Sequence, residues 1–279
     1  MPTKLGQNFL KNKDIAKKIV KSANLSPSDF VLEIGPGKGI LTEELAKAAG
    51  KVMAVEIDRN LVKILGNKFK DSKNVEIFEG DVLKISLKKL LWSEAPKYKI
   101  VANLPYYITS PVVRLFLEAE NPPTEMILMV QKEVAERITA SPREIPTESR
   151  GVKRISRGKP GEMSILAVSV QYYAKPELLF YVGKENFDPM PEVDSAVIKI
   201  TYNQRPTTYN KEETKKFFRI VRAGFCAKRK ILANNLANSF HLDKKTVEKK
   251  VKAAGISPTA RAQDLSVEDW EKLSRLFNS

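Results

Sequence analysis

The chain has 279 residues, 42% of them hydrophobic, enough for one large domain or for a large domain and a small one. Its net charge is +15, from 31 basic and 25 acidic residues in 1–202 and 17 and 8 in 203–279. That tail-weighted excess fits a polyanionic partner, nucleic acid first, and fits equally a merely well-solvated Lys-rich surface. A single cysteine, Cys226, excludes an intramolecular disulfide or a cysteine zinc cluster, and a single histidine, His241, all but excludes a histidine metal site or a Ser/His/Asp triad.

In chain order, residues 14–23 place Ile15, Ile19 and Val20 on one helical face. Strands then alternate with helices. The predicted strands are 30–34, 52–57, 75–79, 98–102 and 125–130; the helices are 40–49, 59–70 and 111–119. Such alternation predicts a parallel sheet covered on both faces. Residues 141–161, with six basic and two acidic residues among Pro, Gly and Ser, read as an exposed loop. Residues 164–173 and 195–201 alternate like two further strands, a hairpin that closes the sheet at seven. Residues 202–210 read as a linker, and helices are predicted at 211–224, 228–239, 243–254 and 266–277. Asp243 and Ser266 are the expected N-caps, and Gly255 the expected stop. His241 falls at a helix end, on the surface. The chain is expected to be an α/β domain, 1–202, followed by a small helical domain, 203–279. No apolar run is long enough to span a membrane, and the first ten residues lack a signal-peptide core. A reducing, cytoplasmic location is expected.

Residues 33–39 read Glu-Ile-Gly-Pro-Gly-Lys-Gly, after a strand and before a helix. Glycines belong where backbone turns tightly and approaches a ligand closely. Glu56 stands 21 positions after Gly35, at the end of the next strand, where a carboxylate accepts both ribose hydroxyl hydrogens. Asp81 follows the third strand, placed for an adenine amine. A nicotinamide dinucleotide shares part of this pattern. The G-x-G-x-G spacing and Glu33 tip the balance: an acid before the turn repels a pyrophosphate but suits the cationic aminoacid end of S-adenosylmethionine.

Residues 103–106 read Asn-Leu-Pro-Tyr, at the end of the fourth strand. An adenine amine is a poor nucleophile because its lone pair is delocalised into the ring. Two acceptors for its hydrogens, the Asn103 side-chain oxygen and the Leu104 carbonyl, favour a tetrahedral nitrogen. Pro105 stiffens the turn, and Tyr106 can stack on a base flipped out of its helix. Orientation then matters more than a strong base. Phe187, in the Pro-rich segment 187–195, is a candidate for the base's other face, or else core.

In this order, the motifs resemble the ribosomal RNA adenine dimethyltransferase family, over almost the whole chain. They are Gly6-Gln7-Asn8-Phe9-Leu10, Glu33-Ile34-Gly35-Pro36-Gly37, Val55-Glu56-Ile57-Asp58, Gly80-Asp81-Val82, Asn103-Leu104-Pro105-Tyr106-Tyr107, Gln131-Lys132-Glu133-Val134-Ala135-Glu136-Arg137 and 187–195. The resemblance implies a Rossmann-like methyltransferase domain, with a mostly parallel seven-stranded sheet, and a helical tail. It implies S-adenosylmethionine as cofactor, leaving as S-adenosylhomocysteine. Asn8, Leu10, Gly35, Glu56, Asp81 and Asn103 are expected to line the cofactor pocket, and Asn103, Leu104, Tyr106 and Phe187 to hold the base.

One branch of the family dimethylates two adjacent adenines near the 3′ end of small-subunit rRNA, in ribosome assembly; another modifies one large-subunit adenine and confers macrolide resistance. Tyr107, Ser110-Pro111, 193–197 and the tail segments 228–232 and 265–269 resemble the first. The expected partner is the 30S precursor, bound by a monomer without metal. Basic clusters lie at 4–21, 143–159 and 219–230, with Arg222, Arg229 and Lys230 on tail helices expected to meet RNA phosphates. The 141–161 loop exceeds the family's short turn, and 227–230 replaces an expected double arginine while keeping the charge. The rival readings are the resistance enzyme, a non-catalytic assembly factor and a dehydrogenase, the last lacking any proton-transfer histidine.

Overall fold

The computed structural model describes residues 8–90, 97–142, 163–203, 211–227 and 229–278. Most of the 141–161 loop, the 204–210 linker, Gly6, Gln7 and Lys228 lie outside the described residues. The chain divides into two compact units, Met1–Ala135 with Ala174–Tyr202, and Glu136–Tyr173 with Asn203–Ser279.

The first unit is built on a seven-stranded sheet. Its strands are β2 (Phe30–Ile34), β3 (Lys51–Glu56), β4 (Val75–Glu79), β5 (Tyr98–Asn103), β6 (Glu125–Gln131), β7 (Ala174–Val182) and β9 (Ser195–Tyr202). Their order is β4-β3-β2-β5-β6-β9-β7, parallel from β4 to β6 and antiparallel on both sides of β9. All five residues of β2 are buried, the signature of a strand covered on both faces. A two-residue strand, β1 (Phe9–Leu10), pairs antiparallel with β8 (Phe187–Asp188) apart from the sheet. The chain runs outward from β2 to β4, then returns to β5 on the other side of β2. That reversal leaves a crevice beyond the carboxyl ends of β2 and β5, where α/β sheets bind ligands.

Helices cover the sheet where the apolar period predicts them. In α1 (Lys13–Ser22) Asn12 caps the first turn by accepting from the Asp14 N–H at 2.9 Å, and Ala16, Ile19 and Val20 are buried. This helix packs against α2 (Ile40–Ala48). In α3 (Arg59–Lys68) the cap is Asp58, which accepts from the Asn60 N–H at 2.8 Å. The remaining helices of this part are α4 (Leu87–Leu90), α5 (Thr109–Leu117) and α6 (Lys132–Ile138), the last starting in this unit and ending in the other.

One expectation fails. Residues 164–173, expected to be a strand, contain helix α7 (Ile165–Tyr173), with Ala167, Val168, Val170, Tyr172 and Tyr173 buried. A helix buried on most of its surface shows no polar face, and its β-branched residues imitate a strand. The true neighbour of β9 is β7, the strand with Pro176. Proline disguised it, but β7 is an edge strand, where a missing N–H is tolerated.

The second unit joins α7 to α8 (Lys211–Gly224), α9 (Leu232–Phe240), α10 (Lys244–Ala253) and α11 (Val267–Asn278). Tyr172 stacks on Phe217 with centroids 4.2 Å apart, and Trp270, fully buried, lies 5.6 Å from Phe225. Asp243 caps α10 as expected, Gly255 follows it with φ of 75°, and Ser266 exchanges hydrogen bonds with Asp269 at the start of α11. His241 is the exposed, left-handed residue that ends α9. Among the described residues no helix is long and apolar enough to cross a membrane.

Gly50, which leads into β3, tests how tightly the sheet is seated. A β-carbon there would stand 2.0 Å from the Pro27 carbonyl oxygen. Gly50→Ala is therefore expected to lower unfolding stability by about 1–3 kcal/mol, read by chemical denaturation; an unchanged midpoint would contradict this packing.

Candidate active site

The crevice beyond β2 and β5 is a cavity of about 240 Å³. Each wall begins at the end of a strand. After β2 comes the loop of Gly35, Pro36 and Gly37. Gly35 has φ of 67° and donates its N–H to the Val55 carbonyl at 2.9 Å, while Gly37 has φ of 59°. A β-carbon on Gly37 would stand 2.7 Å from the Phe9 ring, so only glycine lets the β1 segment close over this loop.

After β3 comes Glu56, 2% exposed. Its Oε1 accepts from the N–H groups of Ile57 and Asp58 at 2.9 and 3.0 Å, and its Oε2 from that of Gly37 at 3.2 Å. These bonds aim the carboxylate across the cavity and leave acceptor capacity for a ligand hydroxyl. After β4 comes Asp81, whose Oδ1 accepts from the Leu83 N–H at 3.0 Å and whose Oδ2 lies 3.4 Å from Lys84 Nζ. Two apolar side chains of this wall, Ile57 at 45% and Leu83 at 37%, are unusually exposed for residues of their kind. They present the sort of surface that flanks a flat ring. Sequence reading missed both, although each follows an acid that it had singled out.

Glu33 lies in the cavity wall at the end of β2, 1% exposed, and its Oε2 has no hydrogen-bond partner. Burial, reinforced by the nearby Glu56 carboxylate, pushes its pKa up to about 8. An orphaned acid of this kind is a ready partner for a cationic amine.

After β5 comes the Asn-Leu-Pro-Tyr turn. Asn103 Nδ2 donates to the Asn8 carbonyl at 3.4 Å, which leaves Oδ1 as the acceptor. The Leu104 N–H is taken by the Met129 carbonyl at 3.1 Å, and the Pro105 carbonyl by the Ile108 N–H at 3.1 Å. Among the described residues nothing donates to the Leu104 carbonyl. Tyr106 lies half-buried, its hydroxyl 2.9 Å from Ser195 Oγ, and burial raises its pKa. Asn8, Phe9 and Leu10 close the cavity from β1.

The structure thus brings Asn8, Leu10, Gly35, Glu56, Asp81, Asn103, Leu104 and Tyr106 to one cavity. Phe187 is 1% exposed, pairs with Leu10 across the β1–β8 ribbon and packs in the core with Ile19, Leu41 and Val197; it does not itself line the cavity, although Leu10 and Leu41 do. The apolar ring buries more surface there than it would at a wet cleft.

Arg222, Arg229 and Lys230 lie in the second unit, and all three are exposed. Among the described residues none of them forms an ion pair. Arg222 is on the last turn of α8, but Arg229 and Lys230 precede α9 instead of riding on it. The cause is Asn235, 1% exposed, whose Nδ2 donates to the Gly224 and Ala227 carbonyls at 2.7 and 3.0 Å. Those bonds tie the end of α8 and Ala227 to α9.

Comparison with known proteins agrees with this geometry. A family model described as ribosomal RNA adenine dimethylase matches residues 1–279. A protein of Dehalococcoides mccartyi named ribosomal RNA small subunit methyltransferase A is 44% identical over 269 residues, 96% of this chain and 86% of that protein. The crystal structure of a dimethyladenosine transferase from Plasmodium falciparum is 26% identical, with a TM-score of 0.76 over 97% of each chain. That of the 23S rRNA methyltransferase ErmE is also 26% identical, with a TM-score of 0.72 over 98% of this chain and 100% of the other.

Glu33 provides a pH test. A buried acid whose pKa is raised favours the folded state only while it is protonated, so between pH 4.5 and about 8 it makes stability fall as pH rises. Glu33→Gln is expected to flatten that fall, measured by thermal unfolding at pH 5 to 8. An identical slope in the variant would mean that Glu33 does not carry the proton.

Proposed function

The chain belongs to the ribosomal RNA adenine dimethylase family, and from that premise we infer how its cavity carries out methyl transfer. The protein is an S-adenosylmethionine-dependent rRNA adenine methyltransferase. Bound in the cavity, the cofactor supplies a methyl group made electrophilic by the sulfonium that carries it. The donor set suits it: a buried acid with one unpartnered oxygen for its amine, a second acid for its ribose hydroxyls, and exposed Ile57 and Leu83 for the faces of its adenine. We assign Glu33 to the amine, Glu56 to the ribose and Asp81 to the adenine edge, with Asn8, Leu10 and Gly35 enclosing the site.

The observation that carries the catalytic reading is the pair of free acceptors on the Asn103 turn. Asn103 Oδ1 and the Leu104 carbonyl receive the two hydrogens of the target amine, turning its lone pair out of the ring. Bound in the cavity, S-adenosylmethionine would supply the methyl group to the nitrogen that Asn103 and Leu104 present and would leave as S-adenosylhomocysteine, while the displaced N–H proton would pass to solvent. Orientation supplies most of the acceleration, so no titratable base is required. After the first transfer one hydrogen remains, and one acceptor suffices to present it. Tyr106 holds the face of the base. Phe187, behind Leu10 in the β1–β8 ribbon, is assigned to the other face of the base.

Relatives named for the small subunit favour that substrate: two adjacent adenosines near the 3′ end of 16S rRNA, within a 30S precursor. The alternative, a large-subunit enzyme, has support from fold likeness at 26% identity. The reading is completed by a cytoplasmic monomer in which the expected boundary near 202 is kept except that 136–173 go with the second unit, the first unit being catalytic and the second RNA-binding.

The test is transfer of labelled methyl groups to purified small subunits lacking adenine methylation, and separately to large-subunit RNA, followed by nucleoside analysis. Dimethyladenosine in small-subunit RNA is expected, and label confined to large-subunit RNA would reassign the substrate. Asn103→Ala is expected to abolish transfer and leave RNA binding near normal; a loss of RNA binding would undercut its role. Replacing Arg222, Arg229 and Lys230 together by alanine is expected to weaken RNA binding and lower the slope of log affinity against log salt by roughly 2 to 3. An unchanged slope would remove this turn from the RNA interface.

A further inference from the structure

We propose that Ser195 is a positioning residue for methyl transfer, its hydroxyl fixing the orientation of the Tyr106 ring against the target base. The proposal rests on the reading of Tyr106 as the residue that holds that base.

Ser195 opens β9 and is completely buried. It pairs with Gln131 of β6 on one side and with Val182 of β7 on the other. The preceding residue is held as firmly: the Asp194 carbonyl accepts from the Lys132 N–H at 3.0 Å, and its Oδ1 from the Lys184 N–H at 3.1 Å. The Ser195 hydroxyl is therefore anchored from both neighbouring strands.

That hydroxyl lies 2.9 Å from Tyr106 Oη. Ala196 and Val197, the next residues of the strand, are equally buried, so an apolar side chain would suit this part of the core. What serine adds is the hydroxyl, and a buried hydroxyl requires a partner. At its other end, Tyr106 leaves a turn closed by the Ile108 N–H to Pro105 carbonyl bond at 3.1 Å. The ring is thus fixed at both Cα and Oη, which removes its freedom to swing. Tyr107, one residue on, is 59% exposed, so burial of a tyrosine is no general property of this turn. A flat surface helps align a base only if its own plane is fixed, and small misalignments are costly in orientation-driven catalysis. The tether links the catalytic turn to the sheet through a residue 89 positions away.

The test compares Ser195→Ala, Tyr106→Phe, the double variant and Tyr106→Ala in methyl transfer to small-subunit RNA, with S-adenosylmethionine binding followed by calorimetry. Ser195→Ala and Tyr106→Phe are each expected to lower kcat about five- to tenfold, the effect of one neutral hydrogen bond. The KM for RNA and the cofactor affinity stay unchanged, and the double variant is no slower than the slower single one. A wild-type kcat in Ser195→Ala, multiplying effects in the double variant, or a loss confined to KM overturns the proposal. If Ser195→Ala fails to fold, Tyr106→Phe removes the same hydrogen bond from the other end, and a wild-type kcat there overturns the proposal equally. Full activity in Tyr106→Ala overturns the base-holding reading and the proposal with it. An inactive Tyr106→Ala beside a normal Ser195→Ala overturns the proposal alone.

Discussion

The parallel pairing of β2 with β5, in the register Phe30 to Tyr98, Val31 to Lys99 and Leu32 to Ile100, is the constraint from which the site follows. These strands are adjacent in space but distant in sequence, because the chain builds one flank of the sheet before it starts the other. Their carboxyl ends therefore diverge into loops that run to opposite sides, and a crevice is left between them. One loop is the glycine turn, the other the Asn-Leu-Pro-Tyr turn. In the proposed reading, the cofactor and the target amine meet because these two turns do.

The chemistry is carried largely by groups that do not titrate near neutrality. In the proposed reading the acceptors for the amine are an amide oxygen and a backbone carbonyl. The Tyr106 hydroxyl, neutral in any case, has its pKa raised further by burial. The exception is Glu33, a carboxyl kept in a dry wall without a partner for one of its oxygens. A site that must grip a cationic ligand and later release a less charged product benefits from an acid that is costly to ionise alone and favourable to ionise beside a cation.

The β1–β8 ribbon gives the cavity its covering. Phe9 meets Asp188 and Leu10 meets Phe187 in this ribbon, and Lys38 of the glycine loop lies 3.2 Å from Asp188. Cofactor wall and Pro-rich segment are consequently one mechanical piece. Burial of Phe187 secures that piece to the core.

The sequence by itself determined the parts whose cause is local. The glycine turn requires positive φ, the acids recur in step after successive strands, and the Asn103 turn carries its acceptors in four consecutive residues; six of the seven sheet strands and most of the longer helices followed from apolar period and capping, while the short elements β1, β8, α4 and α6 did not. Only the tertiary structure decided the rest. Residues 165–173 became a helix because they are enclosed by others, which erases the polar face that marks a helix. Pro176 entered a strand because that strand lies at an edge. Arg229 and Lys230 left their expected helix because Asn235, further along, captures the carbonyls before them. Phe187 was drawn inward by the β1 pairing, and Ser195 found Tyr106 across 89 residues. In most of these the decisive partner is distant in the chain, and even where it is near, as with Asn235, burial and hydrogen bonding against a partner leave no periodic trace in the sequence.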